Sequence, residues 1–453
     1  MNNKIPRIVL AGTNSGCGKT TVSCAVMQAF IDRGMQVGAF KCGPDYIDPM
    51  FHSEIIGAHS SNLDSFFFDD NTLKYLLSED GRKCDVSIIE GVMGFYDGMG
   101  INSTKASTYE IAAITGSPVI LVVDAKGASL SVLAVIKGFL ELYQNNRING
   151  VILNRCTEST YRLLSEKINE YFMGKIKTFG YMPVRKDCVF ESRHLGLITA
   201  AEIAELKNML RMLAQQAEQS IDLDGILRLA EESQDVECRE VALPSFAEQV
   251  RIGYARDKAF CFYYQDNLKA LEKMGAELVP FSPVSDNSLP SNIHGLYLGG
   301  GYPELYAERL SDNRTMLDSV RNALDSGLPC IAECGGFMYL NSSLSGYEMV
   351  EYLNGESHDT GRLTRFGYVT LKAEKDNMLC KAGETIAAHE FHHWDTDHPG
   401  DAFVAEKMTG KTWKCVVADN HIYAGYPHFH FYSNTEFAVN FYKACLRRKQ
   451  KND

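Results

Sequence analysis

Short apolar runs alternate along the chain with longer segments whose apolar positions recur at helical spacing. Ile8 to Ala11 reads as a buried strand, and Lys19 to about Arg33 as a helix. Strands are expected at 37–41, 86–90, 119–123, 150–153 and 177–181, with helices at 131–142 and 161–172. Such alternation predicts a parallel sheet covered on both faces. An acidic helical stretch spans 199–219. The periodicity then fades between Glu231 and Glu248 into a charged linker. A boundary is expected at 240–249, dividing the chain into domains 1–240 and 249–453. A new series follows it: strands at 250–254, 276–281 and 295–298, helices at 264–274 and 313–326, and a strand from Leu328 running into Glu333 and Cys334. The expected fold class is α/β, with two doubly wound domains.

Composition narrows the class. The chain has 453 residues, 45% hydrophobic and 23% charged, as for a soluble globular protein. A formal net charge of −12 argues against general nucleic-acid or membrane-surface binding. No apolar run is long enough to span a bilayer. The first strand begins almost at the N-terminus with no leader-like stretch before it, so a cytoplasmic protein is expected. Thirteen scattered cysteines with no C-x-x-C pair point to reduced thiols and against a structural zinc site.

Two stretches carry the chemistry. The first is Gly12, Thr13, Asn14, Ser15, Gly16, Cys17, Gly18, Lys19, Thr20 and Thr21. A glycine-rich turn between a strand and a helix is a phosphate cradle, where backbone N–H groups and a helix N-terminus face the anion. Lys19 is expected on the β- and γ-phosphate oxygens of ATP, and the Thr20 hydroxyl on Mg²⁺. The spacing departs from G-x-x-x-x-G-K-[ST], with Thr13 where the first glycine belongs. At the carboxyl ends of later strands stand Lys41, Asp45, Asp48 and Glu90. Lys41 is a second phosphate contact or a surface lysine. Asp45 and Asp48 sit in a loop beside the cradle, or in an ordinary turn. Glu90, ending a buried strand, is the expected second Mg²⁺ position. Asn154 at a late strand end is an adenine contact or a turn residue. Arg193 and His194 are candidates for an anionic substrate, or caps of the helix that follows.

The second stretch is Glu333-Cys334-Gly335-Gly336, where a strand runs into a sharp turn and then a helix. This has the form of a nucleophile elbow with cysteine at its apex. Gly299, Gly300 and Gly301 close another strand, and glycine there lets backbone N–H groups approach as an oxyanion hole requires. His428 and His430 alternate on an extended segment and supply the base. His389-Glu-Phe-His-His393 satisfies the zinc-protease pattern H-E-x-x-H, but its flanks are too short for the necessary helix. A strand with His389 and Glu390 on opposite faces is expected instead. ATP chemistry beside a Cys–His hydrolase suggests amidation of a carboxylate by nitrogen from glutamine.

At this point the chain resembles the cobyrinic acid a,c-diamide synthases of cobalamin biosynthesis. The resemblance rests on residues 12–20, 43–49, 90–97, 193–197, 298–304, 333–340 and 389–392. It implies a dethiobiotin-synthetase-like P-loop NTPase domain and a class I-type glutaminase domain, with ATP and Mg²⁺ used to amidate a corrin polycarboxylate. It makes Cys334 the nucleophile and His428 the base, with Gly300, Gly301 and Gly335 around the oxyanion and glutamine. Thr20, Asp45 and Glu90 become the metal and phosphate-transfer set, and Tyr46 and Asp48 lie on the substrate side. His430 falls where a triad glutamate would stand, so no orienting carboxylate is expected behind the imidazole. Hydrogenobyrinic acid, nickel sirohydrochlorin and the cobyric acid synthase reaction stay open as alternatives, and so does a homodimer.

Overall fold

The computed structural model describes residues 4–185, 187–188 and 200–452, in two compact units, Met1–Val241 and Ala242–Asp453. Arg193 and His194 lie outside the described residues. No helix among the described residues is long and apolar enough to cross a membrane. The described residues include all thirteen cysteines, and no disulfide forms among them.

The first unit is built on seven strands: β1 (Arg7–Gly12), β2 (Val37–Cys42), β3 (His59–Leu63), β4 (Val86–Glu90), β5 (Val119–Asp124), β6 (Ile148–Asn154) and β7 (Lys177–Met182). They lie in the order β3-β2-β4-β1-β5-β6-β7, and every pair is parallel. β1, β2 and β4 are buried throughout, which is why they read as continuous apolar runs. The polar strand β3 carries no such signal. It sits at the sheet edge, and its Asn62 holds the loop after β2 by donating to the carbonyls of Gly43 (2.9 Å) and Asp45 (2.8 Å). Helix α1 (Lys19–Asp32) follows β1 and buries Val22, Cys24, Val26, Met27 and Phe30.

Arg7 is completely buried at the start of β1. Its guanidinium donates to the carbonyls of Ile5, Thr115 and Gln234 and to the hydroxyls of Ser117 and Ser233. Burial and the charge of Arg147 pull its pKa down to about 10 against the opposing pull of Asp235. A cation can remain there because its donor fork is fully used.

The second unit has a six-stranded sheet containing Val250–Ala255, Ala276–Phe281, Gly295–Leu298, Cys330–Glu333 and Ile422–Gly425, mutually parallel, with Val417–Ala418 antiparallel at one edge. Residues between Ser343 and Cys415 add smaller sheets that the apolar pattern does not announce. One of these includes Thr385–His392, a strand as expected for the H-E-x-x-H stretch. Among the described residues no three His, Cys, Asp or Glu side chains converge as a preformed metal cage.

Candidate active sites

In the first unit, β1 ends at Gly12 and the chain turns through Thr13–Gly18 into the first turn of α1, which holds Lys19, Thr20 and Thr21. Gly16 and Gly18 have φ of +77° and +92°, conformations glycine adopts without strain. A Cβ on Gly18 would stand 1.9 Å from Asn154 Nδ2, so the turn has no room for a side chain there. Asn154 donates to Cys17 O at 2.7 Å and so braces the loop from behind. That bond leaves one amide hydrogen and Oδ1 for any contact with a base. Arg155, which the sequence reading did not single out, adds a second brace through Gly16 O (2.7 Å) and Asp124 (2.7 Å). Lys19 is buried and its ammonium donates to Met93 O at 2.5 Å, bringing the chain beyond β4 against the loop. Burial is the main influence lowering its pKa.

Beside this loop lies a buried charge cluster. Lys41 and Glu90 are register partners on β2 and β4, and both are almost wholly buried. The Lys41 ammonium is 3.0 Å from Glu90 Oε1 and 2.7 Å from Asp48. Lys41 is therefore no surface lysine; it is ion-paired with two carboxylates. Thr20 donates to Glu90 Oε1 at 2.7 Å. Burial by itself would raise the Glu90 pKa, but Lys41, His52 and Thr20 hold the carboxyl well below the usual range. His52, also missed from sequence, lies on a π-helical turn (Phe51–Ile56), with Nε2 3.1 Å from Glu90 Oε2 but off the hydrogen-bond axis. Asp45 accepts from Ile47 N at 2.8 Å, and burial with the neighbouring Asp48 charge pushes it up to about 6 against the pull of Lys41. Tyr46 begins the short helix (Ile47–Met50) that carries Asp48.

The donor set suits a hard cation. Thr20, Asp45 and Glu90 offer oxygen ligands, and Glu90 Oε2 is buried with no aligned hydrogen-bond donor. A sparse protein shell is what Mg²⁺ uses when phosphate oxygens and waters complete its sphere.

In the second unit, the strand Cys330–Glu333 ends in Cys334, whose φ of +49° and ψ of −101° make a sharp, strained turn before Gly335–Leu340. Cys334 N donates to Gly425 O at 2.8 Å and Gly336 N to Gly299 O at 3.0 Å, pinning the elbow between neighbouring strands. A Cβ on Gly336 would stand 2.2 Å from Leu298 O, and one on Gly335 would stand 3.1 Å from Gly301 N. The backbone around Gly335 and that of Gly301 thus approach each other beside the cysteine. A Cβ on Gly300 would stand 2.6 Å from His428 Cε1, so the imidazole packs directly on the glycine strand.

His428 is buried and contacts the Cys334 thiol. Burial opposes its charge, yet Cys334 and Glu333 together push its pKa up to about 10. Its Nδ1 is 3.1 Å from Glu333 Oε2. The expectation that no carboxylate stands behind the imidazole is therefore corrected. The partner is the residue just before Cys334, and its signal was the Glu333-Cys334 dipeptide itself. His430, at the position expected for a third member, turns to Tyr264 (ring centroids 4.9 Å apart) and Asp266 (3.9 Å). Across the strand pair, His389 faces His428. Burial first, then the His428 charge, bring its pKa down to about 3.

Comparison with known proteins agrees with both units. Residues 8–196 match the CobQ/CobB/MinD/ParA nucleotide binding domain, and residues 251–436 the CobB/CobQ-like glutamine amidotransferase domain. The chain is 40% identical to a cobyrinate a,c-diamide synthase of Listeria innocua over 97% of this chain and 100% of that one. It is 39% identical to one from Clostridium acetobutylicum over 95% and 98%. It is 37% identical to one from Thermoplasma volcanium over 99% of each. A nucleotide-binding unit followed by an amidotransferase unit, matched end to end by such relatives, decides the question: the chain belongs to the cobyrinate a,c-diamide synthase family.

Proposed function

We propose that the protein amidates the a and c carboxylates of cobyrinate, with ATP activating each carboxylate in the first unit and glutamine supplying nitrogen through the second. The observation that carries the reading is the strained Cys334 elbow in contact with His428, in a chain that also carries a lysine-bearing phosphate loop.

The Cys334 sulfur attacks the glutamine carboxamide carbon while His428 takes the thiol proton. The backbone N–H groups of Gly301 and Gly335 meet the oxyanion, and Gly300 lets the imidazole come close. His428 then returns the proton to the departing ammonia, and water resolves the thioester to glutamate. In the first unit, the 13–18 backbone and Lys19 hold the phosphates of ATP. Thr20, Asp45 and Glu90 would hold Mg²⁺, which supplies charge neutralisation at those phosphates when bound. Asp48 and Tyr46 face the tetrapyrrole carboxylate, with Asp48 held by its ion pair to Lys41. The γ-phosphoryl passes to that carboxylate, and ammonia displaces phosphate from the acyl phosphate to leave an amide.

The test is purified protein with ATP, Mg²⁺ and glutamine, given cobyrinate, hydrogenobyrinate and nickel sirohydrochlorin in parallel. Mass spectrometry should find a product with two new amides from cobyrinate. Product only from another tetrapyrrole, or four amides added, would replace this substrate assignment.

A further inference from the structure

We infer that Glu333 is the positioning carboxylate of the glutaminase centre, fixing the His428 tautomer from the residue next to the nucleophile. The inference rests on Cys334 and His428 being nucleophile and base.

In a regular strand, consecutive side chains point to opposite faces, so Glu333 and Cys334 should not reach one imidazole. The turn at Cys334, with φ +49° and ψ −101°, breaks that alternation at the required place. Glu333 still follows the strand, in register with Gly425 of Ile422–Gly425, while Cys334 leaves the strand geometry. Both consecutive residues therefore reach His428, with Nδ1 3.1 Å from Glu333 Oε2 and the ring also in contact with the Cys334 thiol.

Glu333 is 1% exposed. A buried carboxylate is costly unless paired. Among the described residues its ion-pair partner is His428, and its second oxygen is approached by the Tyr297 hydroxyl at 3.4 Å. Tyr297 is itself fully buried. Nδ1–H donating to Glu333 leaves the Nε2 lone pair for the thiol proton, and the carboxylate stabilises the imidazolium that results. Among the described residues, the titratable groups facing His428 include Cys334, Glu333 and, across the strand pair, His389, which burial keeps neutral. Among the described residues, Glu333 is thus the carboxylate within ion-pair distance of His428. His430 does not compete, because its ring is held among Tyr264, Asp266 and Tyr432.

The experiment compares full-length wild type, Glu333→Gln and Cys334→Ala in glutamine-dependent and ammonia-dependent amidation of cobyrinate. Glu333→Gln should lose about 10²- to 10⁴-fold in glutamine-dependent kcat/KM. Its ammonia-dependent rate should stay within about twofold of wild type, and Cys334 alkylation by iodoacetamide should move to higher pH. Glutamine-dependent turnover within about threefold of wild type, with an unshifted alkylation profile, overturns the role of Glu333 while leaving the Cys334 reading intact. Glutamine-dependent turnover surviving in Cys334→Ala overturns that reading instead. If Glu333→Gln does not fold, ¹⁵N-histidine spectra of the wild type decide: a protonated His428 Nδ1 supports the role, and an unprotonated Nδ1 overturns it.

Discussion

Replacing Gly300 by alanine probes the glutaminase centre with one methyl group. The added Cβ would stand 2.6 Å from His428 Cε1 and 3.2 Å from Nε2. Carbon atoms in contact settle about 3.5 Å or more apart, so the imidazole or the strand must yield by about 1 Å. The Gly300 φ is not positive, so alanine brings no backbone strain of its own. A displacement of about 1 Å in a reacting group costs about 10²-fold in rate, or roughly 2.7 kcal/mol of transition-state stabilisation. Gly300→Ala should therefore lose about 10²-fold in glutamine-dependent amidation and keep its ammonia-dependent rate, both followed by product mass. Gly301→Ala is the contrast. Its Cβ would meet Ala259 O at 2.1 Å, a backbone atom that cannot swing aside, so this variant should lower thermal stability as well. If Gly300→Ala turns over glutamine at the wild-type rate, His428 is not held against that strand during catalysis and the reasoning fails.

Other expectations follow from the first unit and Cys334. Cys334→Ser should abolish glutamine use and spare ammonia-dependent amidation; loss of both would count against separate reactions. Lys19→Ala should remove both activities, measured as product and as ADP release, because the phosphates lose their cation. Asp45→Asn keeps the oxygen that accepts from Ile47 N but removes a carboxylate whose pKa is raised to about 6 by burial and Asp48. A raised carboxylate pKa favours folding below the unfolded value and loses that contribution as pH climbs through the folded one. Asp45→Asn should accordingly be more stable than wild type above about pH 6, by at most about 3 kcal/mol, with the gap closing below about pH 4; a pH-independent difference would contradict this. Lys41→Met strands Asp48 and Glu90 without their buried counter-charge and should destabilise the unit by about 3–5 kcal/mol. Hydrogen exchange of β2 and β4 amides is the suitable probe, since both tryptophans, Trp394 and Trp413, lie in the other unit.

Much of this protein was legible in its sequence. The buried strands of the first sheet are continuous apolar runs because both faces are covered, and the glycines of 12–18 and 299–301 mark positive-φ turns or places where an added Cβ would collide with a neighbour. The elbow could be read from Glu333-Cys334-Gly335-Gly336 because a strand, a sharp turn and a helix each leave a local signature. Tertiary structure alone decided what neighbours whom. β3 is polar and local rules do not call it a strand; it exists because β2 offers it an edge. Lys41 could not be told from a surface lysine until parallel pairing set it opposite Glu90, and His52 reached that glutamate only through the π-helical turn. Asn154 and Arg155 became braces of a loop about 140 residues upstream. Glu333 was hidden in plain view, since period-two alternation predicts that it points away from Cys334. Local chemistry specifies a conformation and a reactive group, but a charged pair or an oriented imidazole depends on distances between residues far apart in the chain, which only the packed sheet sets.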